Sequence, residues 1–335
     1  MVVVLYHVLV FVLPPISGMS HLATWLPLNG ILAVKIFFAI SGFALTIPYL
    51  QQPDRKILVA LAAGRYVRLM IPIFIACLLV TIALRTGAIP PAQDRMQDYR
   101  EFLRFDMGLL PFLQFTFYDV FFAYRHEATY IGPLWTMSVE LICSYWLLAA
   151  LWLLGTSRWR SAVMGMLTIF CFLGFSYNFG FFLIGSLLAQ AYQHRQTFAL
   201  RRRWLFLLIA GVCIIPLIDM RPWTDLFAVT MLLTAVLFSP RLQRAFSTET
   251  SQFLGRISFP LYLIHELVIC TVGFHLAPYT TNTADRLAVD IAVIAGAIGL
   301  ACLLMPINRW GIMASRWLGK HAAAGYGRLV MKGQG

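Results

Sequence analysis

Charged residues are scarce in this chain, and their scarcity excludes a soluble globular protein. Only 12% of the 335 residues are Asp, Glu, Lys or Arg, whereas 60% are hydrophobic. Soluble domains carry about 25% charged residues, because polar side chains must cover an apolar core. This chain has too few polar residues for that, so we expect its exterior to face lipid.

The sequence also lacks the usual signs of a metal site, a nucleic-acid surface and a cleavable leader. Its six cysteines lie in apolar stretches without a Cys-x-x-Cys pair, so we interpret them as packing residues and predict no metal. The net charge of +12 is dispersed and not gathered into one run, which argues against nucleic acid as a partner. The apolar run from Val2 to Leu13 has no basic stretch before it and no cleavage site after it.

Long apolar segments are the main feature that is present. A helix needs about 20 residues to cross the hydrocarbon layer of a membrane. Ten candidate segments lie at about 1–16, 29–50, 67–86, 131–154, 161–175, 177–192, 204–219, 224–239, 257–277 and 286–307. The sequence therefore predicts an all-α fold, a polytopic transmembrane bundle of about ten helices in residues 1–307, with the lipid bilayer as a partner.

Two details refine this prediction. Pro14 and Pro15 interrupt the first segment after an apolar run too short to span, so we expect its helix to begin before the chain does. With the N-terminus placed in the cytoplasm, 18 of the 26 Lys and Arg residues fall on the cytoplasmic side and seven on the other. This bias predicts both termini in the cytoplasm, an outside loop at about 87–130 and a basic cytoplasmic tail at 308–335.

Ionisable residues inside the predicted spans are functional candidates, because a charge in lipid is costly. His7, Glu140 and His265 each lie about 10–13 Å from the nearer membrane surface at 1.5 Å per residue. We expect Lys35, a fourth such residue, to snorkel to the surface. The polar residues that accompany them are Ser41, Trp135, Ser138, Ser258 and Tyr262. Separate helices thus bring polar groups towards one depth, which favours a shared internal site.

These residue types suit acyl transfer to a hydroxyl group. A histidine such as His7 can take the hydroxyl proton, and a carboxylate such as Glu140 can orient it. Arg65 and Arg68 share one helix face at the cytoplasmic mouth, where guanidinium groups can clamp phosphates. Structural alternatives remain open: hydrogen bonds between helices for the histidine and glutamate, and positive-inside anchoring for the arginines.

Five short motifs occur in order along the chain. They are Val4-Leu5-Tyr6-His7, FFAISGF at 37–43, RYVRLMIP at 65–72, GPLWTMSVE at 132–140 and LGRISFPLYLIH at 254–265. Together they resemble the motifs of the acyltransferase 3 family, and the resemblance spans residues 1 to about 307.

The resemblance implies a multi-helix membrane enzyme that uses acyl-CoA from the cytoplasm as co-substrate and holds no permanently bound cofactor. The acceptor is expected to be a hydroxyl of a carbohydrate or glycolipid, and the acyl group is expected to be acetyl. His7 would be the catalytic histidine, and Arg65 and Arg68 would contact the donor phosphates. The family also has an arginine about ten residues before this histidine, and the chain begins too late to contain it.

The leading hypothesis is therefore an O-acyltransferase of the cell inner membrane that acetylates a cell-surface or exported carbohydrate. Two alternatives stay open at this point. Buried histidine and glutamate also build proton relays, so a proton-coupled transporter or channel is one. A catalytically inactive, truncated relative is the other.

Overall fold

The computed structural model of the chain is an all-α protein. It describes residues 1–12, 28–91, 103, 108–194, 202–214 and 223–332. No β-strand occurs among these residues. The predicted fold class, an all-α polytopic membrane protein, is confirmed.

The helices follow one another with short connections. In chain order they are α1 (Val2–Tyr6, continued by the π-helical stretch His7–Val12), α2 (Gly30–Gln51), α3 (Arg55–Arg85), α4 (Leu109–Phe122), α5 (Gly132–Leu154), α6 (Arg160–Phe175), α7 (Tyr177–Gln193), α8 (Arg202–Ile214), α9 (Trp223–Phe238), α10 (Pro240–Phe246), α11 (Glu249–Tyr279), α12 (Thr283–Leu303) and α13 (Met305–Lys332).

Five of the helices in the described ranges are long and apolar enough to cross a membrane: α2, α3, α5, α11 and α12. The pair α9 and α10 passes the same test together but is bent by 92° at its break. The remaining predicted segments coincide with shorter helices, α1 and α6 to α8. Helix α3 begins at Arg55, about twelve residues before the start that hydropathy predicted.

Close helix packing has a visible cause at Gly42 of α2 and Gly185 of α7. A Cβ atom at Gly42 would collide with the backbone carbonyl of Phe182, and one at Gly185 would collide with that of Ala39. Only glycine lets the two backbones approach so closely, which is how small residues act in membrane bundles.

Two segments predicted to lie outside the spans have regular structure. In the outside loop, Phe112 and Phe115 of α4 pack on the buried ring of Tyr130 at centroid distances of 5.7 and 5.0 Å. The basic tail forms most of the long helix α13. The cysteines are mostly buried, as predicted, but Cys213 is exposed, so the packing interpretation is wrong for that residue.

The chain divides into two compact units. The first unit contains Met1–Gly30, Arg68–Ser138 and Gln252–Ile312, and the second contains Ile31–Val67, Val139–Ser251 and Met313–Gly335. Each unit collects candidate residues of its own, and each is described by itself below.

Candidate functional site

A pair of histidines lies inside the first unit. His7 Nδ1 is 2.7 Å from His265 Nε2, and the two ring planes are within 10° of parallel. His265 is completely buried, whereas His7 is partly accessible. The structure thus brings together two residues that are 258 positions apart in the sequence.

The hydrogen bonds of His265 determine which nitrogen carries each proton when both rings are neutral. His265 Nδ1 lies 2.8 Å from the carbonyl oxygen of Tyr262 and 3.2 Å from that of Leu261. A carbonyl oxygen only accepts, so Nδ1 bears the hydrogen and Nε2 bears the lone pair. His7 Nδ1 must then donate to His265 Nε2. The lone pair of His7 consequently lies on Nε2, the nitrogen on the far side of its ring.

Local backbone structure orients both rings. His7 begins a π-helical stretch that ends at Val12, and such stretches are frequent at functional sites because they re-aim side chains. His265 lies in the apolar part of α11, four residues after Leu261, so its Nδ1 reaches back to the preceding turn. Backbone carbonyls of α11 therefore orient the His265 ring, and the His265 ring in turn orients the His7 ring.

Tyr262 and Glu266, which lie on either side of His265 in α11, form hydrogen bonds with the start of α5. The Tyr262 hydroxyl donates to the carbonyl oxygen of Pro133 at 2.8 Å and contacts the Thr136 hydroxyl at 2.8 Å. One turn later, the buried carboxylate of Glu266 accepts a hydrogen bond from the backbone N–H of Gly132. These hydrogen bonds connect the GPLW motif at the start of α5 to α11, the helix that carries His265.

Tyr124 completes this arrangement from the segment before α5. Its hydroxyl donates to the carbonyl oxygen of Gly132 at 3.1 Å. Burial, with the nearby carboxylate of Glu266 adding to it, raises the pKa of Tyr124 to about 12. The phenol therefore stays protonated at neutral pH and remains a donor.

A second cluster, in the second unit, is charged. Arg65 of α3 forms an ion pair with Glu140 of α5 and donates from Nε to the Ser144 hydroxyl at 2.9 Å. The Glu140 side chain is 2% exposed, and among the described residues its Oε2 has no hydrogen-bond partner. Ser41 of α2 is buried in the same unit. Sequence reasoning assigned Glu140 to the orientation of His7. The structure pairs it with Arg65, and the orienting contact of His7 comes from His265.

Arg68 belongs to the first unit and has different partners. Its Nη1 donates to the Asn308 side-chain oxygen at 2.7 Å, and its guanidinium lies 5.3 Å from the ring centre of Phe259. Asn308 is buried at the start of α13 and also lines a crevice with Pro72 and Pro260. Phe259 and His265 are both on α11, six residues or about 9 Å apart along its axis.

The remaining predicted site residues are less enclosed. Trp135 is 41% exposed at the start of α5, and Ser138 is half-buried on the same helix. Both follow Gly132 in α5, but neither takes part in the hydrogen bonds described above between α5 and α11.

Several buried charges were missed or misread from the sequence. Lys35, expected to snorkel, forms an ion pair with Asp225 of α9, so that prediction is wrong. Arg286 donates to Asp290 one turn later in α12 at 3.1 Å, and both are buried. Glu266 could have been selected from the sequence, because an acidic residue within an apolar helix is a functional candidate by default.

Comparison with known proteins was informative at the level of the family. A family model for an acyltransferase domain, that of the acyltransferase 3 family, matches residues 1–306. No curated protein and no solved structure matches the chain. The match covers every motif and both clusters described above.

Proposed function

Because this chain belongs to the acyltransferase 3 family and is a membrane acyltransferase, we propose that it transfers an acetyl group from acetyl-CoA to a hydroxyl of a cell-surface or exported carbohydrate. The observation that carries the proposal is the histidine pair. It provides a base whose lone-pair nitrogen is defined by hydrogen bonds.

His7 Nε2 is the proposed general base. It takes the proton of the acceptor hydroxyl while the hydroxyl oxygen attacks the thioester carbonyl carbon of the donor. The C–S bond then breaks, the thiolate of CoA leaves, and the proton on His7 passes to that sulfur. The products are the carbohydrate ester and free CoA, so no net proton is gained or lost.

His265 is the proposed positioning residue. When His7 becomes positively charged, its Nδ1–H still donates to His265 Nε2, and a hydrogen bond from a charged donor is stronger than one from a neutral donor. The arrangement parallels the carboxylate–histidine pair of hydrolases, with an imidazole in place of the carboxylate.

Arg65 and Arg68 are the proposed contacts for the donor phosphates. Asn308 and Phe259 orient the Arg68 guanidinium. Phe259 belongs to α11, the helix that also carries His265. The contacts of Arg65 with Glu140 and Ser144 occupy two of its three nitrogens. We therefore assign Glu140 to holding Arg65, keep Ser41 as a site-shaping residue, and assign the larger share of phosphate binding to Arg68.

The family and the charge distribution support the proposed acceptor and the proposed location of the enzyme. We propose a carbohydrate or glycolipid acceptor, and an inner-membrane location with both termini in the cytoplasm, where acetyl-CoA is available. The excess of Lys and Arg on the side that holds Arg65 and Arg68 supports this orientation.

Acyl transfer from radiolabelled acetyl-CoA tests the proposal. Membranes that contain the chain are incubated with the donor, and ester-linked label is measured in the carbohydrate and glycolipid fraction before and after mild alkali. The expected result is alkali-labile label that depends on the chain. Proton or solute flux through proteoliposomes without any ester formation would overturn the proposal in favour of transport.

A further inference from the structure

One face of α13 is exposed and carries basic and aromatic side chains. Exposed positions recur every three or four residues along the helix, so they form a single stripe. The stripe, here called the basic–aromatic face, consists of Arg309, Trp310, Met313, Arg316, Trp317 and Lys320. Trp310 and Trp317 are each 63% exposed. The two indole rings therefore present apolar surface beside the basic side chains of the same face.

The opposite face of α13 is committed to packing on α3. A Cβ at Gly64 would meet the side-chain oxygen of Ser315 at 2.5 Å, and one at Gly319 would meet the carbonyl oxygen of Ala60 at 2.6 Å. These small residues allow the two helices to touch at backbone distance. Helix α13 therefore cannot turn its basic–aromatic face inwards without breaking this contact.

In the part of the chain that the structure describes, no acidic side chain compensates the charge on this face. No Asp or Glu follows Asp290 in the sequence, so α13 contains none. Among the described residues, no ion pair involves Arg309, Arg316 or Lys320. A cationic surface of this kind is complementary to an anionic one.

We propose that the basic–aromatic face of α13 binds the anionic headgroups of membrane phospholipids. Tryptophan is enriched at the boundary between hydrocarbon and headgroups, and Lys and Arg near that boundary attract anionic lipid, each by about fivefold in local concentration. A helix with both kinds of side chain on one face lies along the membrane surface. The predicted cytoplasmic position of α13 places the face at the inner leaflet, and the inference holds whichever acyl acceptor the enzyme uses.

Fluorescence quenching by brominated lipids tests this proposal with the whole chain. The protein is reconstituted in phosphatidylcholine nanodiscs that contain an equal mole fraction of either brominated phosphatidylglycerol or brominated phosphatidylcholine. We expect the brominated phosphatidylglycerol to quench tryptophan emission more strongly. The excess should largely disappear in Trp310→Phe/Trp317→Phe, and it should fall severalfold in Arg316→Gln/Lys320→Gln.

Matched control variants separate this face from other exposed positions. Trp159→Phe removes a tryptophan that is 60% exposed elsewhere, and Arg241→Gln/Arg244→Gln removes two exposed charges from α10. Both controls should keep the excess quenching. Size-exclusion profiles and melting temperatures identify any variant that has lost its fold.

Three outcomes would overturn the proposal. In the first, the unmodified chain shows equal quenching by both lipids, a result that needs no variant. In the second, the excess is unchanged in the α13 variants. In the third, nanodiscs with two copies of the chain show less quenching of Trp310 and Trp317 than nanodiscs with one copy. That result would assign the face to contact with a second copy of the chain.

Discussion

The two clusters differ in how they tolerate burial. In the first unit, His7 and His265 form a neutral pair in which one backbone carbonyl sets the tautomer of both rings. In the second unit, Arg65 and Glu140 are oppositely charged and compensate each other. A neutral imidazole can gain a proton and lose it again, whereas either member of a buried ion pair loses its compensation if its charge changes. From this difference we propose that the first cluster performs chemistry and that the second maintains position.

The largest effect should come from removing the base. His7→Ala should lower kcat for acyl transfer by about 100-fold or more, because general-base catalysis contributes about 10²–10⁴. The measurement is the rate of ester formation from labelled acetyl-CoA at saturating donor. His275→Ala, which removes an exposed histidine of α11, is the matched control and should keep the rate of the unmodified chain.

Removing the carboxylate of the charged cluster should affect the fold more than the chemistry. Glu140→Ala leaves the half-buried Arg65 without its counter-charge and should lower the free energy of unfolding by about 3 kcal/mol. Melting temperature in detergent is the measurement. Arg65→Ala/Glu140→Ala should be less destabilised than the sum of the two single variants, and strict additivity would show that the pair is not coupled.

The partner of the base can be tested with a change that preserves one function of the ring. His265→Leu removes the acceptor for His7 Nδ1–H and should lower kcat about tenfold, the worth of one hydrogen bond to a charged group. His265→Gln provides a side-chain oxygen near the same place and should recover part of the rate. In both variants the KM for acetyl-CoA should stay unchanged, and equal rates in Leu and Gln would contradict the positioning role.

A smaller effect is expected where a neutral side chain orients an arginine. Asn308→Ala removes the acceptor for Arg68 Nη1 and should raise the KM for acetyl-CoA about fivefold, with kcat nearly unchanged. Gln243→Ala, which removes an amide of α10, serves as the control. A change in kcat without a change in KM would remove Arg68 from the donor site.

The smallest effect should come from the glycine that lets Glu266 approach the backbone. A Cβ at Gly132 would lie 2.8 Å from Glu266 Oε1, so Gly132→Ala should push the carboxylate aside and lower the free energy of unfolding by about 1 kcal/mol. Gly165→Ala, at a position with open space around it, is the matched control. Equal melting temperatures for the two variants would show that the hydrogen bond between Gly132 and Glu266 does not stabilise the packing of α5 on α11.

Much of the fold was predictable because a membrane imposes a simple requirement. Each span must satisfy its backbone hydrogen bonds internally and must present apolar side chains to lipid. The predicted segments therefore correspond to helices, and a clear difference in boundary is at α3, which begins at Arg55 and not near residue 67. The apolar run at 57–63 was a signal for that continuation, but Arg65 and Arg68 separate it from the segment that follows. The added turns also pack on α13, which a local pattern does not record.

The candidate site was predictable in its members and not in its pairings. His7, Glu140 and His265 could be selected because each is a polar group in an apolar helix. The pairing of Glu140 with Arg65 was not predicted, and Glu266 and Asp225 were overlooked. Which side chains meet depends on the rotation of each helix about its axis, and single-sequence periodicity is weak for helices that are apolar on all sides.

The sequence by itself determined that this chain is a helical membrane protein of the acyltransferase 3 family, because composition and ordered motifs are properties of the chain alone. Only the tertiary structure decided that His7 meets His265 and that Arg65 meets Glu140. Contacts between residues 258 and 75 positions apart depend on how separate helices pack, and no local pattern records that packing.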